Sequence, residues 1–118
     1  MKILVVDDSR IMRTIIKRFL ADEIDDVLEA VNGKEALDLY REHRPELVTM
    51  DITMPEMDGL ECIERIMELD PHANIFVVSA LTAKNVAIRA LELGATEYIT
   101  KPFTEQELVD VIRPMIGV

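Results

Sequence analysis

Apolar residues gather along this chain in five short runs, at 3–6, 27–30, 47–50, 75–78 and 97–99. Between the runs the spacing switches from strand-like to helical, with a period near 3.6. The first and fourth runs are almost unbroken aliphatic stretches, which suits strands buried on both faces of a parallel sheet. The second and fifth are short and mixed, the character of edge strands. In 9–20 the apolar positions Ile11, Met12, Ile15, Ile16, Phe19 and Leu20 recur at the helical period, opposite Arg10, Arg13, Lys17 and Arg18. The helix over 34–43 packs Ala36, Leu37 and Tyr40 and is stopped by Pro45. Asp58-Gly59 reads as a turn and cap for the helix over 60–69, which buries Leu60, Ile63, Ile66 and Met67 and ends before Pro71. The helix over 83–93 runs into the helix-ending Gly94. Thr104 caps the last helix and Glu107 completes a capping box; Pro114 is expected to end that helix early, leaving 115–118 as an apolar tail. The link over 21–26 lacks a glycine before the second strand, so the pattern leaves that strand's register open. Strict alternation of strand and helix with short connections predicts an α/β fold, a parallel sheet covered on both sides.

Composition narrows the class. At 118 residues the chain has room for one domain, 1–118, and with 49% apolar residues it can bury an ordinary core. No apolar run approaches the roughly 20 residues a membrane helix needs. The first apolar run meets two aspartates and not a small-residue cleavage site, so no signal peptide is expected. A single cysteine, Cys62, excludes an internal disulfide and fits a reducing cytoplasm. Thirteen basic against 23 acidic residues give a net charge of −10, a field that repels nucleic-acid phosphates. The same field makes any inward-facing cluster of aspartates costly unless a cation sits among them.

In parallel α/β sheets ligands bind at the carboxyl ends of the strands. The polar residues of interest fall there: Asp7 and Asp8 after the first strand, Asp51 after the third, Ser79 after the fourth and Lys101 after the fifth. Each alone has an ordinary reading. Asp8 or Ser9 can cap the first helix, Asp51 can end a strand, Ser79 can satisfy local backbone, and Lys101 can be a solvated lysine. Together they define a chemistry. Close carboxylates repel and call for a cation; Mg²⁺ accepts hard oxygen ligands and keeps waters and phosphate oxygens. A carboxylate can accept a phosphoryl group as an aspartyl phosphate, with a metal and an ammonium neutralising the developing charge. His43 and His72 have no ligand-spaced partner, which argues against a zinc-type centre. No Gly-rich phosphate loop follows the first strand.

These residues bring out a resemblance that spans essentially the whole chain. Val5-Val6-Asp7-Asp8, Met50-Asp51-Ile52-Thr53-Met54-Pro55 with Asp58-Gly59, Ser79-Ala80 and Lys101-Pro102-Phe103 resemble the receiver domains of two-component response regulators, of the CheY-like, chemotaxis type. The resemblance implies a flavodoxin-like (βα)5 fold with strand order 2-1-3-4-5. It implies that Asp51 is the phosphoacceptor, served by Lys101 and Ser79. It implies Mg²⁺ held by Asp7, Asp8, Asp51 and the backbone carbonyl of Thr53, and a cis bond before Pro102. Ser79 and Tyr98 correspond to switch residues, while Thr53 and Leu81 fall at positions that tune phosphoryl lifetime. The partners implied are a sensor histidine kinase or phosphotransfer protein docking near the basic face of the first helix, and a downstream protein or second copy on the face made by 83–93, 97–99 and 104–113. No membrane insertion or direct nucleic-acid contact is expected, and the location implied is cytoplasmic.

Two other readings use the same residues. A receiver excised from a larger regulator would look identical over this span. A haloacid-dehalogenase-like phosphatase also uses an aspartyl nucleophile with Mg²⁺, but expects Asp-x-Asp after the first strand, where this chain has adjacent aspartates. An interaction module without phosphoryl chemistry would be expected to lack some of these residues.

Overall fold

Alternate residues of each strand are committed to opposite faces of the sheet, and that alternation builds two cores. The computed structural model describes residues 1–54, 56–80 and 84–116. In chain order its elements are β1 (Lys2–Val6), α1 (Arg10–Phe19), β2 (Asp26–Ala30), α2 (Gly33–His43), β3 (Leu47–Met50), α3 (Gly59–Leu69), β4 (Ile75–Ser79), α4 (Lys84–Glu92), β5 (Glu97–Thr100) and α5 (Glu105–Met115). All strand pairs are parallel, in the order β2-β1-β3-β4-β5. Ile3, Val5, Leu47, Phe76 and Val78 pack under α1 and α5 with Ile16, Leu20, Leu108 and Ile112. Leu4, Val6, Val48, Met50, Ile75 and Val77 pack on the other face with Ala36, Tyr40, Cys62, Ile63, Ile66 and Ala90. β2 and β5 are the half-exposed edges.

The register left open by the 21–26 link is closed by the backbone: Lys2 pairs with Asp26 through to Val6 with Ala30. The amides of Asp25 and Asp26 both donate to the Met1 carbonyl, at 2.9 and 3.4 Å. The Met1 ammonium pairs with Asp25 as well. Helix ends follow the expected chemistry. Ser9 Oγ accepts from Met12 N–H, Asp58 caps α3 through Glu61 N–H, and Thr104 with Glu107 forms the full capping box. Gly94 adopts φ +118°, and the Gly94 and Ala95 amides return to Leu91 and Ala90. The expected helix start at Ala83 lies outside the described residues.

Two expectations fail for local reasons. α5 does not stop at Pro114; it runs to Met115, and Ile116 N–H closes it on Ile112 and Arg113. A proline one residue from the end of a helix removes a single rung, here to the carbonyl of exposed Asp110, and the last turn tolerates that loss. Ile11 does not join the buried face of α1 and is 74% exposed. The apolar arc of α1 is wider than the sheet can cover, and only Ile16 and Leu20 are fully enclosed.

Below the site, α2 and α3 are joined by polar contacts. The buried Tyr40 hydroxyl donates to Asp70 at 2.8 Å, and the Arg44 guanidinium lies 5.7 Å from the Tyr40 ring. Burial, reinforced by Asp70, pushes the Tyr40 hydroxyl well above its ordinary range; the bond from Tyr40 holds Asp70 below its own. Cys62, wholly buried, donates its S–H to the Gly33 carbonyl at 3.3 Å, and burial pushes the thiol up to about 12. Among the described residues no helix is long and apolar enough to cross a membrane.

Candidate functional site

Three of the singled-out residues sit one rung beyond a strand, still held by the parallel ladder. Asp7 N–H donates to Ala30 C=O at 3.1 Å, Asp51 N–H to Val6 C=O at 3.0 Å, and Lys101 N–H to Ser79 C=O at 2.9 Å. Each side chain therefore projects from rigid backbone at the carboxyl edge of the sheet, as its sequence position predicts. Among the described residues, Asp7, Asp8 and Asp51 each offer one carboxylate oxygen, all within 4.8 Å of one another. Asp7 is 1% and Asp51 5% exposed, while Asp8 is open to solvent.

Lys101 enters this acidic group from β5, across a cis Lys101–Pro102 peptide. Its Nζ lies 2.7 Å from Asp7 Oδ2 and 3.9 Å from Asp51 Oδ1. It is thus bonded to Asp7 and only near Asp51. The Asp51 carboxyl is raised to about 6: burial pushes it up most, Lys101 pulls it down, and the Asp7 and Asp8 charges push it up again. One ammonium does not neutralise three carboxylates, and the site asks for more positive charge. The donor set is all hard oxygen. Oxygens on an octahedral ion with bonds of about 2.1 Å lie roughly 3–4 Å apart, so this cluster can close on a metal with small side-chain movements. The cluster could hold a metal.

Ser79, 1% exposed, ends β4 opposite Thr100 on β5. Tyr98 is half-buried on β5, on the face shared with α2, α3 and α4, and burial raises its hydroxyl. Thr53 lies exposed two residues past Asp51, whereas Leu81 falls outside the described residues. So the fold brings Asp7, Asp8, Asp51 and Lys101 into contact range, with Ser79 on the neighbouring strand end.

The basic face expected on α1 is divided. Arg13 and Lys17 bind the two carboxylate oxygens of Glu29 on β2, each at 2.9 Å. Arg10 and Arg18 point away, flanking Ile11, Thr14 and Ile15 around a shallow surface pocket. At about 100° per residue Arg13 lies only about 20° from Leu20 on the helical wheel, and Arg18 about 140° from Arg13. That spacing was the available signal: Arg13 borders the buried sector.

Gly59, read as a turn, has a second duty. A Cβ there would stand 2.2 Å from the Asp51 carbonyl oxygen, and its N–H donates to Ile52 C=O at 2.7 Å. Gly33 is pressed in the same way on Met57, 2.3 Å from its carbonyl oxygen. Both glycines let backbone pack against the stretch that carries Asp51.

Comparison with known proteins agrees with this geometry. The family described as response regulator receiver domain matches residues 3–113. A chemotaxis protein CheY from Thermotoga maritima is 42% identical, over 94% of this chain and 93% of its own. The CheY of Bacillus subtilis is 43% identical over 98% of both chains. Among solved structures, the CheX–CheY–BeF3–Mg complex from Borrelia burgdorferi matches with TM-score 0.93 and 32% identity, covering 99% of this chain and 89% of the other.

Proposed function

This chain belongs to the response regulator receiver family, and on that premise we propose that Asp51 accepts a phosphoryl group from a phosphohistidine donor in a Mg²⁺-dependent transfer. The observation that carries the reading is the under-neutralised cluster of Asp7, Asp8 and Asp51 beside Lys101. An Asp51 oxygen attacks phosphorus as the P–N bond to the donor imidazole breaks; the imidazole nitrogen leaves with the bonding pair and takes up a proton. Asp7, Asp8, Asp51 and the Thr53 carbonyl would hold the ion, which supplies charge neutralisation and orientation to the phosphoryl oxygens. Lys101 adds a second positive charge within reach of those oxygens. The Ser79 hydroxyl, at the adjacent strand end, is the group to bind a phosphoryl oxygen. Turnover is limited to self-phosphorylation and self-dephosphorylation.

The output follows from what Ser79 adjoins. Drawing its hydroxyl toward Asp51 alters the space beside β5, and Tyr98 is the ring placed to respond. The face of α4, β5 and α5, with exposed Ile88 and Leu91, is the surface for a downstream protein or a second copy. Arg10, Ile11, Thr14, Ile15 and Arg18 form the surface for the phosphodonor, in place of a continuous basic face. The setting is cytoplasmic and the role chemotaxis-type, a reading supported by the CheY relatives that match over nearly their whole length.

Incubation with Mg²⁺ and acetyl phosphate is expected to add one phosphoryl mass to the wild-type chain and none to Asp51→Asn. A full phosphoryl mass on Asp51→Asn overturns the assignment. Repeated turnover of an external phosphoester would favour the phosphatase reading instead.

A further inference from the structure

We propose that Arg13 is a positioning residue for this site: it fixes the Asp7–Asp8 peptide so that both carboxylates face Asp51, and Glu29 holds it in place. The proposal rests on the metal-dependent reading above. Arg13 Nη1 donates to the Asp7 main-chain carbonyl at 2.7 Å, and its Nε to Glu29 Oε1 at 2.9 Å. The side chain is only 11% exposed; its bond to Asp7 is part-buried, while the one to Glu29 lies at the surface.

Asp7 is held at every polar atom, each time by a different part of the fold. Its N–H is bound by Ala30, its Oδ1 by Ser9 N–H at 2.9 Å, its Oδ2 by Lys101 and its carbonyl by Arg13. The peptide group is planar, so the Asp7 carbonyl and the Asp8 N–H turn as one body. Arg13 therefore fixes the plane from which Asp8 departs. That hold matters most for Asp8, whose side chain is exposed to solvent. A guanidinium fork suits the task, because it serves two acceptors on two elements at once; an ammonium on a flexible stem does so poorly. Outer partners of metal ligands act in this manner, and their loss typically costs tenfold or more in affinity.

Lys17 provides an internal control. It binds the other Glu29 oxygen at 2.9 Å, carries the same charge as Arg13, and is not bonded to Asp7. Removing either cation should, by charge alone, draw Mg²⁺ more tightly to a negative site. Positioning predicts the opposite sign for Arg13 only.

The experiment is a Mg²⁺ titration followed by backbone amide shifts, with thermal melts of each metal-free variant beside it. Arg13→Gln is expected to bind Mg²⁺ about tenfold more weakly. Lys17→Gln should bind as tightly as wild type or more so, and Arg13→Lys should restore part of the loss. Affinity in Arg13→Gln equal to or tighter than wild type overturns the proposal, as does an equal loss in Lys17→Gln. Should Arg13→Gln not fold, Arg13→Lys carries the test, because it keeps the charge and loses the fork. Weaker Mg²⁺ binding there supports the proposal, and wild-type affinity overturns it. A wild-type chain with no Mg²⁺ response at all is a different failure: it removes the metal site itself, and this role with it.

Discussion

Among the described residues, two polar groupings are built to opposite specifications. Tyr40 and Asp70 form a finished pair: one donor, one acceptor, 2.8 Å apart, with Arg44 alongside. The carboxyl settles downward and the hydroxyl keeps its proton. At the carboxyl edge of the sheet, three carboxylates share one ammonium, and Asp51 is pushed up to about 6. The first arrangement stabilises the fold and has nothing left to bind. The second destabilises the fold in isolation and gains by taking up a cation. The contrast is between a polar pair satisfied within the fold and a carboxylate cluster left short of positive charge, the kind of imbalance expected of a functional site.

The largest expected effect breaks the second grouping. In metal-free buffer at pH 7, Asp51→Asn should stabilise the protein, because an ionised group held against its tendency is replaced by a neutral one. A rise from 3.8 to about 6 corresponds to at most about 3 kcal/mol. Thermal denaturation reads it directly, and a lower melting temperature for Asp51→Asn would contradict the contrast. Added Mg²⁺ should narrow the gap, since binding favours the wild-type fold by mass action.

Next comes pH. The folded carboxyl titrates above its unfolded value, so between about pH 4 and 6 the folded state holds a proton that the unfolded state has lost. This group's contribution to stability therefore rises as pH falls from 7 through 6, and levels off below about 4. Other carboxylates act across the same range, so the measurement is the difference between wild type and Asp51→Asn. That difference should shrink on acidification, and no narrowing would place the Asp51 carboxyl in its ordinary range. Mg²⁺ affinity should fall over the same interval, as protons compete for Asp51.

Tyr40→Phe tests the finished pair. It should cost about 1 kcal/mol, the net worth of a hydrogen bond whose remaining partner can reach water. Unlike Asp51→Asn, it should leave Mg²⁺ binding unchanged. Arg44→Ala is the smallest change, within about 0.5 kcal/mol, because that cation is half exposed and its ion pair with Asp70 is long. Chemical denaturation resolves the first and bounds the second.

Much of this was legible along the chain because it is local. Strand alternation, the caps at Ser9, Asp58 and Thr104, and the positive φ at Gly94 each depend on residues within a few positions. The placing of Asp7, Asp51, Ser79 and Lys101 followed from one topological rule. What could not be read depends on distant neighbours or on clearance. Arg13 belongs with Glu29 and the Asp7 carbonyl, not with Arg10 and Arg18, because β2 runs beside that flank of α1. Ile11 is exposed because periodicity gives the direction of an apolar arc more surely than its width. Gly59 reads as a turn residue in any sequence; that it must lack a side chain beside Asp51 is a fact of spacing between segments. Pro114 obeys the general rule for proline, but so near the helix end that the rule has little left to break.

The lone thiol has a practical consequence. Cys62 is wholly enclosed and bound to the carbonyl of Gly33, whose amide in turn donates to Met57 on the approach to α3. A thiol held near 12 is nearly all protonated at neutral pH, and a buried one is closed to alkylating reagents. Labelling can proceed only during moments when α2 and α3 part. The rate of reaction with a maleimide, followed by mass, therefore times those openings in the unaltered chain. No foreign dye or added cysteine is required, and the clock sits directly behind the stretch that carries Asp51.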